Sequence, residues 1–198
     1  MITLHDLPPP PGPLAGGALF LDRDGTLNFD RHYVSDPAGI ELIPGVAAAL
    51  SAARALGLRL FLHTNQSGIA RGLFQLADVD RCNARLEELL GLPRPVFDAI
   101  CVAPEGPDDP QVYRKPSPRF IRECLARHRL EPSRCWMVGD RESDLEAGRL
   151  AGIGTAAVCT GKHDAAAWRQ LLPAGTPVWP SLTELVAALA AAPPRTDA

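Results

Sequence analysis

The sequence has no Cys-x-x-Cys pair, and its few cysteines stand far apart. Their positions are Cys82, Cys101, Cys124, Cys135 and Cys159. An odd number of scattered cysteines, without the basic start and long apolar stretch of a signal peptide, is typical of reduced thiols in a cytoplasm. No apolar run approaches the length that a bilayer requires. We therefore expect a cytoplasmic protein with no membrane partner.

Neither sign of charge is in clear excess. Lys and Arg together number 20 and Asp and Glu 23, which leaves a net charge of -3. Such a balance gives no reason to expect nucleic acid as a partner. A small phosphorylated substrate is compatible with it, since local positive charge can coexist with a negative total. We expect a monomer.

Proline and glycine are concentrated near the start of the chain. Residues 1–16 are predicted to form a flexible Pro/Gly-rich lead-in, and residues 192–198 a flexible tail. Between them, residues 17–191 are predicted to form a single domain. A hydrophobic fraction of 46% against 22% charged residues is enough for one sizeable core.

Short apolar, β-prone runs alternate with segments of helical pattern along this domain. The runs cover 18–22, 58–64, 97–103, 135–140, 155–160 and 176–180, and the helical segments 45–57, 76–91, 117–130, 143–152, 165–172 and 181–191. This alternation predicts an α/β fold, a doubly wound and mostly parallel sheet with helices on both faces. In such a sheet, ligands bind beyond the carboxyl ends of the strands.

Polar side chains follow several of the predicted strands. Asp22 and Asp24 end the first run, Thr64 the second and Asp140 the fourth, while Lys115 precedes a helix. Because parallel strands point one way, the strand-end groups should gather at one edge of the sheet. Three carboxylates at one point will not all ionise unless a cation shares the site, and hard oxygen ligands suit Mg²⁺.

The same residue types suit phosphoryl transfer. A carboxylate can attack phosphorus and form an aspartyl-phosphate, which water then hydrolyses. Thr64 could hydrogen-bond the transferred group, and Lys115 could neutralise its charge. One carboxylate must then act as acid to the leaving alkoxide and as base to the attacking water.

Four strings resemble, in order, the motifs of the haloacid dehalogenase-like phosphatases: DRDGTLN, HTNQSGIARG, YRKPSP and GDRESDLEAGRLAG. The resemblance runs from about residue 18 to 160 and is closest to the branch of the heptose bisphosphate and histidinol phosphatases. It implies a Rossmann-like core and a Mg²⁺-dependent phosphomonoester hydrolase that acts through an aspartyl-phosphate. The implied substrate is a sugar bisphosphate such as D-glycero-D-manno-heptose 1,7-bisphosphate, which would lose its 7-phosphate.

The resemblance also implies residue roles. Asp22 matches the nucleophile and Asp24 the general acid/base, while Thr64 and Lys115 match the phosphate-binding pair. Implied metal ligands are the carboxylates of Asp22 and Asp140 and the backbone carbonyl of Asp24, with Asp144 as a further acid near the metal. Implied substrate contacts are Asp30, Tyr33, Asn65, Gln66, Ser67, Arg114 and Arg141.

The intervals between the motifs bear on a cap domain, which compact members of the family also lack, and on a zinc site, where this sequence departs from the branch. The intervals between the motifs are too short for a separate cap domain, so none is expected. Relatives in this branch usually carry a zinc loop of Cys and His ligands before the third motif. Here the aligned positions are Ala103, Glu105, Gln111 and Tyr113, and Cys101 alone cannot form such a site, so we expect no structural zinc.

Other functions stay open at this point. Within the phosphatases, a histidinol phosphatase or a broad-specificity sugar phosphatase fits the same motifs. A signalling receiver domain also uses an aspartyl-phosphate, a Thr and a Lys around Mg²⁺. Receivers, however, place an acidic pair early and the phosphoacceptor at a later strand end, whereas here Asp24 follows Asp22 by two positions and Asp140 lies late in the chain.

Overall fold

The computed structural model describes residues 1–5 and 7–191, so the predicted tail at 192–198 lies outside the described residues. The strands are β1 (Ile2–Leu4), β2 (Ala18–Leu21), β3 (Arg59–Asn65), β4 (Ala99–Ala103), β5 (Cys135–Gly139), β6 (Gly154–Val158) and β7 (Val178–Trp179). The helices are α1 (Val46–Ala55), α2 (Leu76–Leu90), α3 (Arg119–His128), α4 (Glu142–Ala151), α5 (Ala165–Leu171) and α6 (Leu182–Ala191). No helix within these residues has both the length and the apolar character needed to cross a membrane.

The strands form one sheet of order β1-β4-β3-β2-β5-β6-β7. All pairs are parallel except β1 with β4, which confirms the predicted doubly wound α/β fold. From β2 the chain winds outward to β3 and β4, then returns to the other side of β2 to form β5. The crevice for a ligand is therefore expected at the carboxyl ends of β2 and β5, where the winding direction reverses.

The central strand β2 is buried on both faces. Leu19 and Leu21 belong to the core that includes α1, α2 and α6, whereas Ala18 and Phe20 belong to the core that includes α3 and α4. All four side chains are fully buried. Each buried leucine contributes about 1.5–3 kcal/mol, so the strand is a rigid base for the residues that follow it.

The lead-in differs from the prediction, because residues 2–4 form the edge strand β1. Ile2 pairs with Cys101 and Leu4 with Ala99, antiparallel to β4. This pairing covers an otherwise open edge of the sheet, which is a common protection against aggregation. Three residues are too few for an alternating pattern to stand out in a sequence, and the partner strand lies far along the chain.

A flap and α1 fill the interval between β2 and β3, and α2 fills the interval between β3 and β4. The flap, residues 29–44, returns along its own start through hydrogen bonds from Phe29 N to Glu41 O and from Ile43 N to Leu27 O, both 3.0 Å. It contains one short 3-10 helix, Pro37–Gly39. Between β2 and β4, a stretch that is described throughout, there is no further domain, as expected.

His63 is buried in β3, where it packs against Phe120. Its Nε2 lies 2.8 Å from the Tyr113 carbonyl oxygen. Because a carbonyl only accepts, Nε2 carries the proton, and the buried Nδ1 has no hydrogen-bond partner among the described residues, which fits a neutral ring. Burial, together with the charge of Lys115, lowers the pKa of His63 to about 3.

This depressed pKa predicts a pH-dependent stability. The unfolded histidine takes up a proton below about pH 6.5, whereas the folded one stays neutral until about pH 3. Stability from His63 is therefore complete above the unfolded pKa and falls as the pH drops, by about 2 kcal/mol between pH 7 and pH 5. Urea unfolding of wild type and His63→Gln, whose amide keeps a donor for Tyr113, measures this contribution. Equal pH slopes for the two proteins would contradict it.

Candidate active site

The turn after β2 presents two carboxylates of different surroundings. Asp22 follows the strand directly, and the backbone carbonyl of Arg23 then accepts hydrogen bonds from the amides of Leu27 and Asn28 at 2.8 and 3.2 Å. Gly25 closes the turn at φ +83°, and a Cβ there would lie 2.5 Å from Asp140 Oδ2. Only glycine meets both conditions, so the Gly in DRDGT permits the contact between this turn and the end of β5.

Asp22 is 6% exposed and is held by Lys115, whose Nζ lies 2.7 Å from Asp22 Oδ1. The same Nζ lies 2.7 Å from Asp144 Oδ1 and donates to the His63 carbonyl at 2.7 Å. Burial raises the pKa of Asp22 well above its usual value, and the charges of Asp144 and Asp140 add to this rise, while Lys115 opposes it. The protein alone therefore does not supply enough positive charge around the Asp22 carboxylate.

Asp24 has the opposite electrostatic environment. Its carboxylate receives hydrogen bonds from Asn28 Nδ2 at 2.9 Å and from Gln66 Nε2 at 3.0 Å, and it pairs with the Arg23 guanidinium. Burial favours a higher pKa, but Arg23 and these hydrogen bonds outweigh it, so the pKa of Asp24 lies below its usual value. Asp22 and Asp24 are thus two carboxylates whose environments separate their pKa values, which is the usual basis of different roles in catalysis.

Asp140 lies at the end of β5, fully buried beneath the cavity. Its Oδ2 accepts from the backbone amide of Lys162 at 2.7 Å, and a Cβ at Gly161 would lie only 2.1 Å from this oxygen. Oδ1 has no hydrogen-bond partner among the described residues. Burial and the charge of Asp144 raise the pKa of Asp140.

These observations fit a divalent cation. Carboxylate oxygens of Asp22, Asp140 and Asp144 lie within 4.8 Å of one another. An unpartnered carboxylate oxygen, together with raised pKa values on Asp22 and Asp140, indicates a place where positive charge is missing. An all-oxygen ligand set of this kind suits Mg²⁺ rather than zinc.

Asp144 is positioned by the start of α4. Its Oδ2 accepts from the Arg141 backbone amide at 3.0 Å, which caps the helix, and leaves Oδ1 for Lys115. A Cβ at Gly139 would lie 2.2 Å from Asp144 Oδ2. Glycine before Asp140 therefore allows the two acids to approach each other.

The residues after β3 organise the opposite side of the cavity. Gln66 Nε2 donates both to Thr64 Oγ1, at 2.9 Å, and to Asp24. Asn65, predicted as a substrate contact, uses both ends of its amide on the Lys115 backbone: Nδ2 donates to the carbonyl at 3.1 Å and Oδ1 accepts from the amide at 2.9 Å. In the structure Asn65 therefore positions Lys115.

One cavity of about 680 Å³ collects the predicted site. The predicted residues that line it are Asp22, Asp24, Asp30, Tyr33, Thr64, Asn65, Gln66, Ser67, Arg114, Lys115, Arg141 and Asp144, and Asp140 lies beneath it. His32, Gln111, Glu142 and Lys162 also line the cavity. The assigned roles remain predictions, but the structure brings all the assigned residues to one place.

The outer part of the cavity is formed by the flap and two arginines. Arg141 Nη2 lies 2.7 Å from Asp30 Oδ2, so the flap is tied to the start of α4. Arg114 Nη1 donates to the Glu105 carbonyl at 3.2 Å. Tyr33 is 45% exposed, and the Arg71 guanidinium lies over its ring, with Cζ 5.7 Å from the ring centroid.

The loop aligned with the zinc site of relatives is held by its own side chains. Glu105 Oε1 accepts from the Tyr113 amide at 2.8 Å, and Gln111 Nε2 donates to the Gly106 carbonyl at 2.9 Å. Cys101 is buried in the middle of β4, and burial raises the pKa of its thiol to about 12. The absence of a structural zinc stays a prediction, which metal analysis of the purified protein would test.

Sequence reasoning assigned no role to Arg23, Asn28, Asn83 or Lys162. Arg23 and Asn28 could have been noticed, since both lie inside the first motif around Asp24. Asn83 lies in the middle of α2 and carries no signal in the sequence. Lys162 lies after β6, outside the four motifs, yet its backbone amide donates to Asp140.

Comparison with known proteins assigns the class. A family model described as HAD-hydrolase-like matches residues 112–185. A crystal structure of the D,D-heptose 1,7-bisphosphate phosphatase from B. bronchiseptica, complexed with magnesium and phosphate, superimposes with a TM-score of 0.79 at 34% identity, over 88% of this chain and 98% of that one. The chain belongs to the haloacid dehalogenase-like hydrolases, and it is a phosphatase.

Curated relatives narrow the comparison within this family. The D-glycero-D-manno-heptose-1,7-bisphosphate 7-phosphatase of Chlorobaculum tepidum is 38% identical over 159 residues, which is 74% of this chain and 80% of the relative. The D-glycero-beta-D-manno-heptose-1,7-bisphosphate 7-phosphatase of Pseudomonas aeruginosa is 36% identical over 179 residues, 86% of this chain and 96% of the relative. The predicted resemblance is therefore confirmed at the level of family and branch.

Proposed function

We propose that the protein is a Mg²⁺-dependent phosphatase of D-glycero-D-manno-heptose 1,7-bisphosphate that removes the 7-phosphate through an aspartyl-phosphate on Asp22. The observation that carries the chemistry is the buried cluster at the strand ends, in which Asp22, Asp140 and Asp144 approach within 4.8 Å around the Lys115 ammonium. A cluster of buried carboxylates is unstable unless positive charge lies beside it, and a bound cation would add to the charge that Lys115 supplies.

In the first step a carboxylate oxygen of Asp22 attacks phosphorus and the bond to the sugar oxygen breaks. Asp24 gives its proton to that oxygen, so the sugar leaves as a neutral alcohol. In the second step Asp24, now ionised, takes a proton from water, whose oxygen attacks the phosphoryl group. Inorganic phosphate leaves and Asp22 is regenerated, so one water is consumed per ester.

The low pKa of Asp24 in the free protein suits the second step, for which a carboxylate is required. Entry of a phosphate dianion beside it favours the protonated form, because like charges raise the pKa of a carboxyl group. Lys115, already between two carboxylates, and the Thr64 hydroxyl are the groups placed to hold the transferred oxygens.

Magnesium would be held by the carboxylates of Asp22 and Asp140 and the backbone carbonyl of Asp24. When bound, it supplies a positive charge that neutralises the phosphate and lowers the cost of the ionised carboxylates. Asp140 Oδ1 accepts no hydrogen bond from the described residues, and the nearest cation on it is the Arg141 guanidinium, whose Nε lies 3.9 Å away, so this oxygen is the ligand atom that remains for a metal.

The substrate assignment rests on the curated relatives, which carry the name of the heptose 1,7-bisphosphate 7-phosphatase. The cavity supports it, since amide, hydroxyl and carboxylate groups suited to sugar hydroxyls line it together with the cationic side chains of Arg114, Arg141 and Lys162. Guanidinium groups bind phosphate oxygens well, so a second phosphate on the sugar has partners away from Asp22.

A comparison of kcat/KM with Mg²⁺ tests the substrate. The panel contains heptose 1,7-bisphosphate, hexose mono- and bisphosphates, and histidinol phosphate. We expect at least about a tenfold preference for the heptose bisphosphate, which corresponds to about 1.4 kcal/mol in the transition state. Phosphorus NMR of the product should show loss of the 7-phosphate and retention of the 1-phosphate.

The other outcomes separate the remaining functions. A preference for histidinol phosphate, or equal rates for every ester, would overturn the heptose assignment and leave the phosphatase chemistry intact. A stable phosphorylated protein without turnover would favour a receiver-like function and overturn both.

Gly161 provides a test of the metal site that does not depend on activity. We expect Gly161→Ala to weaken Mg²⁺ binding by about 10- to 100-fold, because the added methyl would displace the Asp140 carboxylate from its place. Titration calorimetry with MgCl₂ measures this change. Gly39→Ala is the matched control, since Gly39, like Gly161, lacks a positive φ, and a Cβ there would meet only the Val34 side chain, at 3.3 Å. Equal affinity for Mg²⁺ in both variants would place the cation elsewhere.

We also propose that the protein acts as a monomer in the cytoplasm. The five cysteines are free, four of them buried, as expected where thiols stay reduced. Light scattering at micromolar concentration tests the monomer, and a dimer would overturn it.

A further inference from the structure

Arg23, between the two catalytic aspartates, is an arginine that the proposed mechanism leaves without a role. It is fully buried and does not line the cavity. Its Nη2 donates to Asp24 Oδ2 at 3.0 Å, and its Nε is shared between Oδ2 at 3.2 Å and Oδ1 at 3.3 Å. The planar guanidinium thus meets the carboxylate with two adjacent nitrogens, which fixes the plane of the Asp24 carboxylate as well as its charge.

The other side of Arg23 is anchored by α2. Nη1 donates to Asn83 Oδ1 at 3.0 Å, and Asn83 is only 4% exposed. Asn83 does not line the cavity, so no direct contact with a substrate complicates its substitution. A buried arginine is costly unless its donors are satisfied, so this pairing selects one orientation of the guanidinium.

We propose that Arg23, held by Asn83, is a positioning residue that directs the Asp24 carboxyl group at the leaving oxygen. This inference rests on the proposed function, in which Asp24 protonates that oxygen. Asn28 and Gln66 bind the same carboxylate by single hydrogen bonds, at 2.9 and 3.0 Å. Single bonds allow the carboxylate to rotate about them, whereas the two-nitrogen contact with Arg23 does not.

A positioning role predicts an effect that depends on the leaving group. A sugar alkoxide is a poor leaving group and needs a well-placed proton, which contributes typically about 10²- to 10⁴-fold. p-Nitrophenolate leaves without such help. kcat/KM reports the steps up to transfer of the phosphoryl group to Asp22, so it isolates the protonation of the leaving group from the later hydrolysis.

The experiment compares Arg23→Lys with wild type on heptose 1,7-bisphosphate and on p-nitrophenyl phosphate, in saturating MgCl₂. Lysine keeps the charge and loses the planar fork. We expect kcat/KM for the sugar ester to fall at least about 30-fold and that for the aryl ester by less than about threefold. For the sugar ester the fall should be in kcat with KM nearly unchanged, because Arg23 lies outside the cavity.

Asn83 supplies a second, milder test should Arg23→Lys fail to fold. Asn83→Leu removes the acceptor for Nη1, and we expect about a tenfold loss on the sugar ester with little change on the aryl ester. Asn83→Asp keeps an acceptor oxygen at the same position and should restore nearly wild-type values. A purely structural role would lower thermal stability and affect both esters alike.

The outcomes distinguish this inference from the proposed function. Wild-type protein that hydrolyses neither ester overturns the proposed function and the inference with it. If wild-type protein hydrolyses both esters and the variants lose activity on the two esters in equal proportion, only the role of Arg23 is overturned. Unequal loss on the two esters, with rescue by Asn83→Asp, supports it.

Discussion

Asp22→Asn should reduce phosphate release from any substrate by at least about 10⁴-fold while the protein remains folded. The amide is nearly isosteric with the carboxylate but cannot attack phosphorus, and loss of a nucleophile removes the whole covalent route. Folding should survive, since the substitution also removes one of three crowded carboxylates, a change that relieves repulsion from Asp140 and Asp144. Phosphate release from p-nitrophenyl phosphate, followed in the presence of MgCl₂, measures the effect.

The matched control is Asp80→Asn, at an exposed position of α2 outside the cavity. It makes the same chemical change and should retain wild-type kinetics. Comparable activity of Asp22→Asn and wild type would exclude Asp22 as the nucleophile. A trapped phosphoryl group, detected by mass spectrometry in wild-type protein and missing from Asp22→Asn, would locate the intermediate.

Lys115→Met should be the most destabilising single substitution in the site. The Lys115 ammonium is 3% exposed and lies 2.7 Å from carboxylate oxygens of both Asp22 and Asp144. Burial lowers the pKa of Lys115, but the two carboxylates outweigh it and raise the pKa, so the side chain is charged. Its loss leaves buried carboxylates unpaired, which typically costs about 3–5 kcal/mol.

This loss should be partly reversed by magnesium. A divalent cation beside Asp22 and Asp140 replaces some of the missing positive charge, so the free energy of unfolding should rise more with MgCl₂ in Lys115→Met than in wild type. Activity should stay at least about 100-fold below wild type, because the transferred phosphoryl group loses its cationic partner. Denaturant unfolding with and without MgCl₂ measures the first effect.

Lys162 is the only other lysine in the sequence and offers a matched control for stability. Its side chain is 45% exposed and pairs with Glu142 at 3.3 Å. Lys162→Met should change stability by less than about 1 kcal/mol, as is usual for an exposed ion pair. If Lys115→Met were equally mild, Lys115 would not be the charge that holds the carboxylates together.

The gathering of Asp22, Thr64 and Asp140 could be predicted because it depends on local rules alone. Each follows an apolar run, and parallel strands end at the same edge of a sheet. Lys115 was predicted from its motif, and in the structure its ammonium lies between the carboxylates of Asp22 and Asp144. These are consequences of residue order and strand direction, both of which a sequence contains.

Contacts between distant segments could not be predicted in the same way. β1 was assigned to a flexible lead-in, because its partner β4 lies about a hundred residues away and three residues carry no readable pattern. Asn65 was expected to face the substrate, but both ends of its amide bind the Lys115 backbone. Such pairings depend on which loops meet in space.

The two aspartates of DRDGT separate what the sequence predicts from what only the tertiary structure decides. Their spacing and their position after a buried strand indicate phosphoryl transfer without any coordinates. Their different environments follow only from the tertiary structure, because Asp22 is surrounded by Asp140, Asp144 and Lys115 from the ends of other elements. Asp24 instead meets Arg23, whose orientation depends on Asn83 in the middle of α2. Residue types alone predict the reaction, whereas the difference between the two carboxylates arises from charges that folding brings together from distant parts of the chain.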